Sequence, residues 1–197
     1  MNIEKLQNSD KLYLSGKDIS RILSISLKSA QVTASRYVKE KRLVRLKRDI
    51  YIIPEKLKTI SEEELFFISN LLQTPSYISL TTALSYYNLS TQQTPSFIEA
   101  IGLKRTISFG INDIEFNFIK IQKAFYFGFE RNDNFFIASP IKALADSIYL
   151  TAIGKYNCDF DAIELEKFDK TELSNLLNST NKATQNLWLK LIRNYKL

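Results

Sequence analysis

The sequence that decides the fold is Ser15–Pro54, SGKDISRILSISLKSAQVTASRYVKEKRLVRLKRDIYIIP. Its pattern predicts two short helices, a tight connection and then a basic β-hairpin, which is the order of a winged helix-turn-helix. Eight Lys or Arg residues and one acid, Glu40, lie between Lys28 and Arg48. Each cation that meets a phosphate releases counterions condensed on duplex DNA. The stretch therefore predicts a DNA-binding module.

Two serines are expected to cap the two helices. Ser15, with Asp18 three residues later, predicts a capping box at the start of the first helix. Ser26 is a suitable cap for a second helix that extends to about Lys39. Apolar residues at helical spacing are predicted to pack inward from the first helix (Ile19, Ile22, Leu23) and from the second (Leu27, Ala30, Ala34, Tyr37, Val38).

The opposite face of the second helix is predicted to enter a major groove. It presents Lys28, Ser29, Val32, Thr33, Arg36 and Lys39. We assign base-edge contacts to Arg36 and Lys28, because Arg and Lys donate to O6 and N7 of guanine. Gln31 and Ser35 lie at the flank, where Gln31 is a weaker candidate for adenine. The rest of the base-facing surface is shaped by Ser29, Val32 and Thr33.

Two β-rich runs, Leu43–Leu46 and Ile50–Ile53, predict the hairpin, with Arg48 and Asp49 as its loop. Alternation places Arg45 and Lys47 on the outer face. The inner face is expected to consist of Val44, Leu46, Tyr51 and Ile53. Phosphate contacts are assigned to Lys39, Lys41, Arg42, Arg45, Lys47 and Arg48.

Charge divides the chain near Lys58. Residues 1–58 carry fourteen bases and six acids, whereas the other 139 residues carry thirteen bases and fifteen acids. We expect an α+β protein with a winged helix-turn-helix domain at 1–58 and a larger mixed α+β domain at 59–197 that ends in helices. In the second domain helices are predicted at Glu62–Gln73, at Ser79–Tyr87 and from Ser139 onward. Strands are predicted at Phe97–Gly102, Thr106–Phe109, Ile114–Ile121, Phe125–Phe129 and Phe135–Ala138.

The reactive groups argue against an enzyme. The chain has no histidine and its five glycines are isolated, which excludes Ser-His and Cys-His dyads, a Walker A loop and a dinucleotide fingerprint. The carboxylate pairs Asp113 with Glu115 and Asp159 with Asp161 are expected to be solvated. We therefore predict no catalytic residue, no cofactor and no metal.

Two residues of the second domain are assigned to its interior. Cys158, the single cysteine, excludes an internal disulfide and is expected to be a buried small residue. Asp146 lies in the apolar segment IASPIKALADSIYL and is expected to bond backbone or a basic partner inside the fold.

The sequence also predicts the cellular compartment of the protein. No run approaches the 18 apolar residues of a membrane span, and MNIEKLQNSD lacks the apolar core of a signal peptide. We expect a cytoplasmic protein without a membrane partner.

Four segments together resemble a known family. They are the hairpin LVRLKRDIYIIP, the helix ISLTTALSYYNLS, the strand FIEAIG and the later helix IASPIKALADSIY, in this order. Over about Asp18–Leu150 the chain resembles the AbiEi-type antitoxins of bacterial type IV toxin–antitoxin, or abortive-infection, systems. It departs from the family at Asp49, where the hairpin loop often has Gly.

The resemblance implies a winged helix that represses its own operon by binding an inverted repeat, and a C-terminal domain needed for antitoxicity. It also implies a nucleotidyltransferase-like toxin as the functional partner, which is neutralised with or without direct contact. A single winged helix contacts few base pairs, so we expect two copies, possible as a homodimer, on the repeat.

Three alternatives remain open at this point. In the first, the C-terminal domain of a winged-helix regulator binds a small molecule in an apolar pocket and there is no toxin partner. In the second, acids hold Mg²⁺ and the chain is a metal-dependent nuclease. In the third, the basic face is an ordinary solvated surface or binds an acidic protein.

Overall fold

The computed structural model describes residues 2–92 and 95–197, and it is of mixed α+β composition, as predicted. The chain forms two compact units, Met1–Leu65 and Phe66–Leu197. The boundary expected after Lys58 lies at the end of a short helix, whereas the division between the units falls within the next helix.

The N-terminal unit contains four helices and three strands among its described residues, 2–65. They are α1 (Asn2–Gln7), β1 (Leu14–Ser15), α2 (Gly16–Leu23), α3 (Leu27–Lys39), β2 (Val44–Lys47), β3 (Ile50–Ile52) and α4 (Pro54–Lys58). The three strands form an antiparallel sheet in the order β1-β3-β2. Its core is composed of Ile3, Leu6, Leu14, Ile19, Leu23, Ala30, Ala34, Tyr37, Leu43, Tyr51 and Ile53.

Both predicted helix caps of this unit are confirmed. Ser15 accepts from the Asp18 amide while the Asp18 carboxylate accepts from the Ser15 amide, which is the reciprocal capping box. Ser26 accepts from the Ser29 amide at the start of α3. The inward faces also agree with the prediction, except that Leu27 is 42% exposed. Leu27 is the first residue of α3, where no preceding turn of the same helix covers it.

The hairpin of β2 and β3 turns at Arg48 and Asp49, as expected. Asp49 has a φ of 61°, a left-handed conformation that Gly adopts most easily and that Asp tolerates. The Gly16 amide donates to the Asp49 carbonyl at 3.3 Å. A Cβ atom on Gly16 would lie 2.2 Å from Asp49 Oδ1, so a larger residue there would displace the Asp49 side chain. The Asp49 loop is therefore held against the start of α2.

The strict alternation predicted for the hairpin is interrupted by a β-bulge between Arg45 and Lys47. Leu46 is the extra residue and is buried, whereas Lys47 is half-buried rather than fully on the outer face. Val44, expected on the inner face, is also only half-buried. Arg45 is exposed as predicted.

The second unit is built around a six-stranded sheet. Its elements begin with α5 (Glu62–Leu72), which contains the division between the units. They continue with β4 (Ser76–Ile78), α6 (Leu80–Tyr86), β5 (Phe97–Gly102), β6 (Ile107–Ile111), β7 (Ile114–Lys120), β8 (Phe129–Asn132), β9 (Phe135–Ala138), α7 (Pro140–Ala152), α8 (Lys170–Asn178) and α9 (Lys182–Tyr195). The strand order is β6-β7-β5-β4-β9-β8. The β4–β9 and β5–β7 pairs are parallel and the other three are antiparallel.

Most of the predicted elements of this unit are present, with three corrections. The central strand β4 was not expected, because a three-residue run after Pro75 carries little periodicity. Phe125 ends a 3₁₀ turn that begins at Lys123, and β8 begins only at Phe129. The chain after Ser139 is not continuously helical, since α7 ends at Ala152 and the next helix longer than one turn begins at Lys170.

A buried ion pair lies in the core of the second unit. Lys142 and Asp146, one turn apart on α7, form it with no exposed side-chain surface on either partner. Asp146 also accepts from the hydroxyls of Tyr77 and Ser79, each at 2.9 Å. Burial raises the pKa of Asp146 and lowers the pKa of Lys142. The expectation of a basic partner for Asp146 inside the fold is confirmed.

Candidate nucleic-acid interface

The outward face of α3 forms a shallow cationic groove. Lys28, Gln31, Val32, Ser35, Arg36 and Lys39 line a depression of about 440 Å³. Val32 is 67% exposed, which is unusual for an aliphatic side chain of a helix that packs on a core. No acidic side chain lines this groove, and its three cations are all exposed. The face therefore combines charge with short polar and apolar groups.

A second, more polar depression of about 210 Å³ lies between α3 and the hairpin. Gln31 and Ser35 of α3 line it together with Arg45, Arg48, Asp49 and Tyr51. Gln31 and Ser35 thus belong to both depressions. The hairpin lies beside this flank of α3, and the two depressions make one surface, which we call the helix–hairpin groove.

Because of the position of the hairpin, the α3 residues in the middle of the groove differ from those that the sequence analysis predicted. Gln31 and Ser35, placed at the flank by the sequence analysis, lie in the middle of the groove. Ser29 and Thr33, predicted to face the bases, line neither depression. The Ser29 hydroxyl is engaged with the hydroxyl of Ser26 at 2.9 Å, and Thr33 is half-buried. Helical spacing in the sequence already places Gln31 and Ser35 on a flank of α3. It does not show that the hairpin packs beside that flank.

Arg36 and Arg42 share one acid. Arg36 Nε lies 3.8 Å from Glu40 Oε1 and Arg42 Nη1 lies 3.7 Å from Glu40 Oε2. Both guanidinium groups also lie near the Tyr37 ring, with Cζ at 5.3 and 5.9 Å from its centroid. These contacts are long and exposed, so they orient the arginines at low energetic cost and leave them available to a stronger anion.

The remaining predicted phosphate contacts lie on the connection after α3 and on the hairpin. Lys41 and Arg42 are exposed in the connection between α3 and β2. Arg48 is exposed at the turn, and Arg45 Nε donates to the Lys47 carbonyl at 3.4 Å. Lys47 is half-buried by the bulge. The predicted cations thus occur on α3, on the connection and on the hairpin.

Two acids, Asp18 and Asp49, lie at the N-terminus of α2. Burial acts to raise the pKa of Asp18, but hydrogen bonds from Lys11 and Ser15 outweigh it and bring this pKa down to about 2. Asp18 therefore stays charged at the N-terminus of α2, where an anion is favourable. Asp49 Oδ1 is buried and has no hydrogen-bond partner among the described residues. It lies against Gly16, at the same helix terminus.

The other reactive side chains do not converge on a site. Asp113, Glu115, Asp159 and Asp161 are exposed. Within residues 2–92 and 95–197, no three His, Cys, Asp or Glu side chains group together as metal ligands would. Cys158 is half-buried, and burial raises the pKa of its thiol to about 12, so the thiolate is scarce at neutral pH.

In the part of the chain that is described, every helix is too short or too polar to cross a lipid bilayer. Comparison with protein-family models, with curated proteins and with solved structures found no match to this chain.

Proposed function

We propose that this protein is a winged helix-turn-helix transcriptional repressor that binds double-stranded DNA through the helix–hairpin groove. The observation that carries the proposal is the groove itself, in which cations of α3 and of the hairpin surround Gln31, Val32 and Ser35 with no acid on the α3 side. Short polar and apolar groups between cations suit a major groove lined by phosphates on both sides.

The arrangement of α2, α3 and the β2–β3 hairpin supports the assignment of roles. In a helix-turn-helix the second helix enters the major groove, and the hairpin follows the adjacent backbone. Base edges are assigned to Lys28, Gln31 and Arg36. Phosphates are assigned to Lys39, Lys41, Arg42, Arg45, Lys47 and Arg48.

The antitoxin role is the second part of the proposal, and it is supported by the family resemblance. The protein acts on the inverted repeat of its own promoter as two copies and counteracts a nucleotidyltransferase-like toxin. Its test is growth rescue, in which co-expression of this chain restores growth to cells that express a nucleotidyltransferase encoded next to it. Unrelieved growth arrest would contradict this part and leave DNA binding unaffected.

The experiment for DNA binding is a salt titration of affinity for the DNA upstream of the gene. Six to eight phosphate contacts predict that log K falls with log salt with a slope of about −5 to −7. The double variant Arg45→Ala/Arg48→Ala should reduce the magnitude of this slope by about 2, because each removed contact releases one counterion fewer. Lys5→Ala is the matched control, since it removes an exposed cation of α1 outside both depressions. A flat slope for the wild type would overturn the proposal.

Specificity is tested with Arg36→Ala on the same DNA. Loss of one good base contact should cost about 1–3 kcal/mol on the inverted repeat and little on random duplex. Equal loss on both duplexes would assign Arg36 to phosphates instead.

A further inference from the structure

The C-terminal unit has an apolar pocket lined by residues of α5 and of the segment from Tyr126 to Phe136. Its volume is about 360 Å³, near the lower end of the range of roughly 300–1,000 Å³ found for small-molecule sites. Phe67 and Leu71 of α5 form one wall, and Tyr126, Phe129 and Phe136 form the other. Four of these five side chains are aromatic, so a ligand would meet ring faces and edges.

The aromatic wall is held in place from its buried side. The ring of Tyr77 stacks on Phe129 with centroids 4.5 Å apart, and its hydroxyl donates to Asp146. Phe129 in turn contacts Tyr126 and Phe136 edge-on, with centroids at 4.8 and 6.1 Å. Because Phe129 is fixed between these rings, the pocket is formed before a ligand enters, and little ordering opposes binding.

The polar groups of the pocket carry no charge. None of the lining residues is Lys, Arg, Asp or Glu. The Asn70 side chain is engaged within the fold, since it donates to the Ser76 carbonyl at 3.3 Å and accepts from the Phe136 amide at 2.6 Å. Burial raises the pKa of Tyr126 to about 12, so its hydroxyl stays neutral. A charged ligand would lose hydration here without gaining a counter-ion.

We propose that this pocket binds a small, flat, uncharged aromatic molecule. Ring faces on two sides provide offset-stacked and edge-on contacts for such a ligand. The absence of charge in the lining disfavours acidic and basic ligands. Binding there gives the C-terminal unit a ligand site that shares no lining residue with the helix–hairpin groove.

The experiment follows amide and side-chain resonances of the full chain by NMR while indole is added. Indole is flat, uncharged and small enough for the pocket, and indole-3-acetate has the same ring with a negative charge. For the wild type we expect saturable shifts of Asn70, Asn134 and Phe136, with a Kd of about 0.1–1 mM, which is ordinary for so small a ligand. Indole-3-acetate should bind at least about fivefold more weakly.

Phe136 and Phe127 provide a matched pair of variants. Their exposed fractions are 41% and 42%, but only Phe136 lines the pocket. Phe136→Ala should raise the Kd for indole at least about fivefold, whereas Phe127→Ala should leave it within about twofold. Asn134→Trp, which enlarges an exposed residue of the rim, should block binding without removing a core contact.

Three results would overturn the proposal. They are the absence of saturable shifts up to 5 mM indole, equal weakening by Phe136→Ala and Phe127→Ala, and unchanged binding in Asn134→Trp. Equal weakening would mean that indole collects on exposed rings in general. Since DNA affinity is measured separately, failure of the pocket does not affect the proposed DNA binding.

Discussion

The two units of this protein place their polar groups in opposite ways. Among the described residues, every buried polar or charged residue lies in the C-terminal unit, including Glu99, Lys142 and Asp146. The N-terminal unit keeps most of its cations exposed, around a core composed of aliphatic side chains, alanines and two tyrosines. An exposed charge adds little to stability and remains available to a partner, whereas a buried charge is inaccessible and is strongly destabilising once its partner is removed. The two units therefore differ in where their charge lies, since the C-terminal unit pairs part of it inside its core and the described residues of the N-terminal unit do not.

The largest expected effect comes from breaking the buried ion pair. Asp146→Asn keeps an oxygen that accepts from Tyr77 and Ser79, but it leaves the Lys142 ammonium without a counter-ion. We expect the free energy of unfolding of the C-terminal unit to fall by about 3–5 kcal/mol. Amide hydrogen exchange of α7 in the full chain measures this value, while α3 reports on the other unit.

Two further variants sharpen this first test. Adding Lys142→Met to Asp146→Asn removes the unpaired charge at similar side-chain length, so most of the lost stability should return. In the N-terminal unit, Glu40→Gln breaks the exposed pairs with Arg36 and Arg42 and should change stability by less than about 0.5 kcal/mol. Similar losses from Asp146→Asn and Glu40→Gln would show that the two units do not differ in this way.

The next largest effect is a pH dependence of the stability of the C-terminal unit, which we attribute to Glu99. Burial raises the pKa of Glu99 to about 7, although Tyr156 donates to its Oε2 at 3.1 Å. The folded unit therefore binds a proton more tightly than the unfolded chain does, and the stability from this group is full below about pH 4.5. That stability is lost as the pH rises through 7, by roughly 3 kcal/mol in all.

Denaturation of the full chain at several pH values between 5 and 8.5 measures the Glu99 effect. Glu99→Gln, which stays neutral, should remove most of the decline above pH 5 in the C-terminal unit. The stability of α3 should not follow this dependence, since the N-terminal unit has no buried acid of this kind among its described residues. If the stabilities of the wild type and of Glu99→Gln depend on pH in the same way, the decline does not come from Glu99.

The smallest effect is a change of base preference at the groove. Gln31 lies in both depressions, and an amide reads adenine through N6 and N7. Gln31→Glu should shift the preferred base from adenine towards cytosine, whose N4 amino group donates to a carboxylate, by about 1–3 kcal/mol of discrimination. Selection of binding sites from random duplexes by each variant measures it.

Ser29→Ala is the control for base preference, because Ser29 lies on α3 but outside both depressions. If Ser29→Ala alters the selected base and Gln31→Glu does not, the helix docks by the face that the sequence analysis first assigned. Neither variant should change the stability of the C-terminal unit.

Local hydrogen bonding explains which elements the sequence predicts well. Ser15 and Ser26 each cap a helix where expected, because the serine oxygen accepts from the backbone amide three residues later and both groups lie in one short segment. Ser61 and Ser139 cap α5 and α7 in the same way. The strand β4 was missed since its three residues are buried on both faces and show no alternation. Its identity as a central strand depends on pairing with β5 and β9, which are distant in sequence.

The sequence by itself determined the order of helices and hairpin and the concentration of cations on α3 and β2, because caps, periodicity and charge are local properties. Only the tertiary structure decided which flank of α3 lies beside the hairpin. The contact of Asp49 with Gly16 holds the hairpin loop at the start of α2, and it joins residues far apart in the chain. The aromatic pocket has the same origin, since its walls come from α5 and from the β8–β9 edge of the sheet. Side chains from distant segments meet only when packing of the whole unit brings them together.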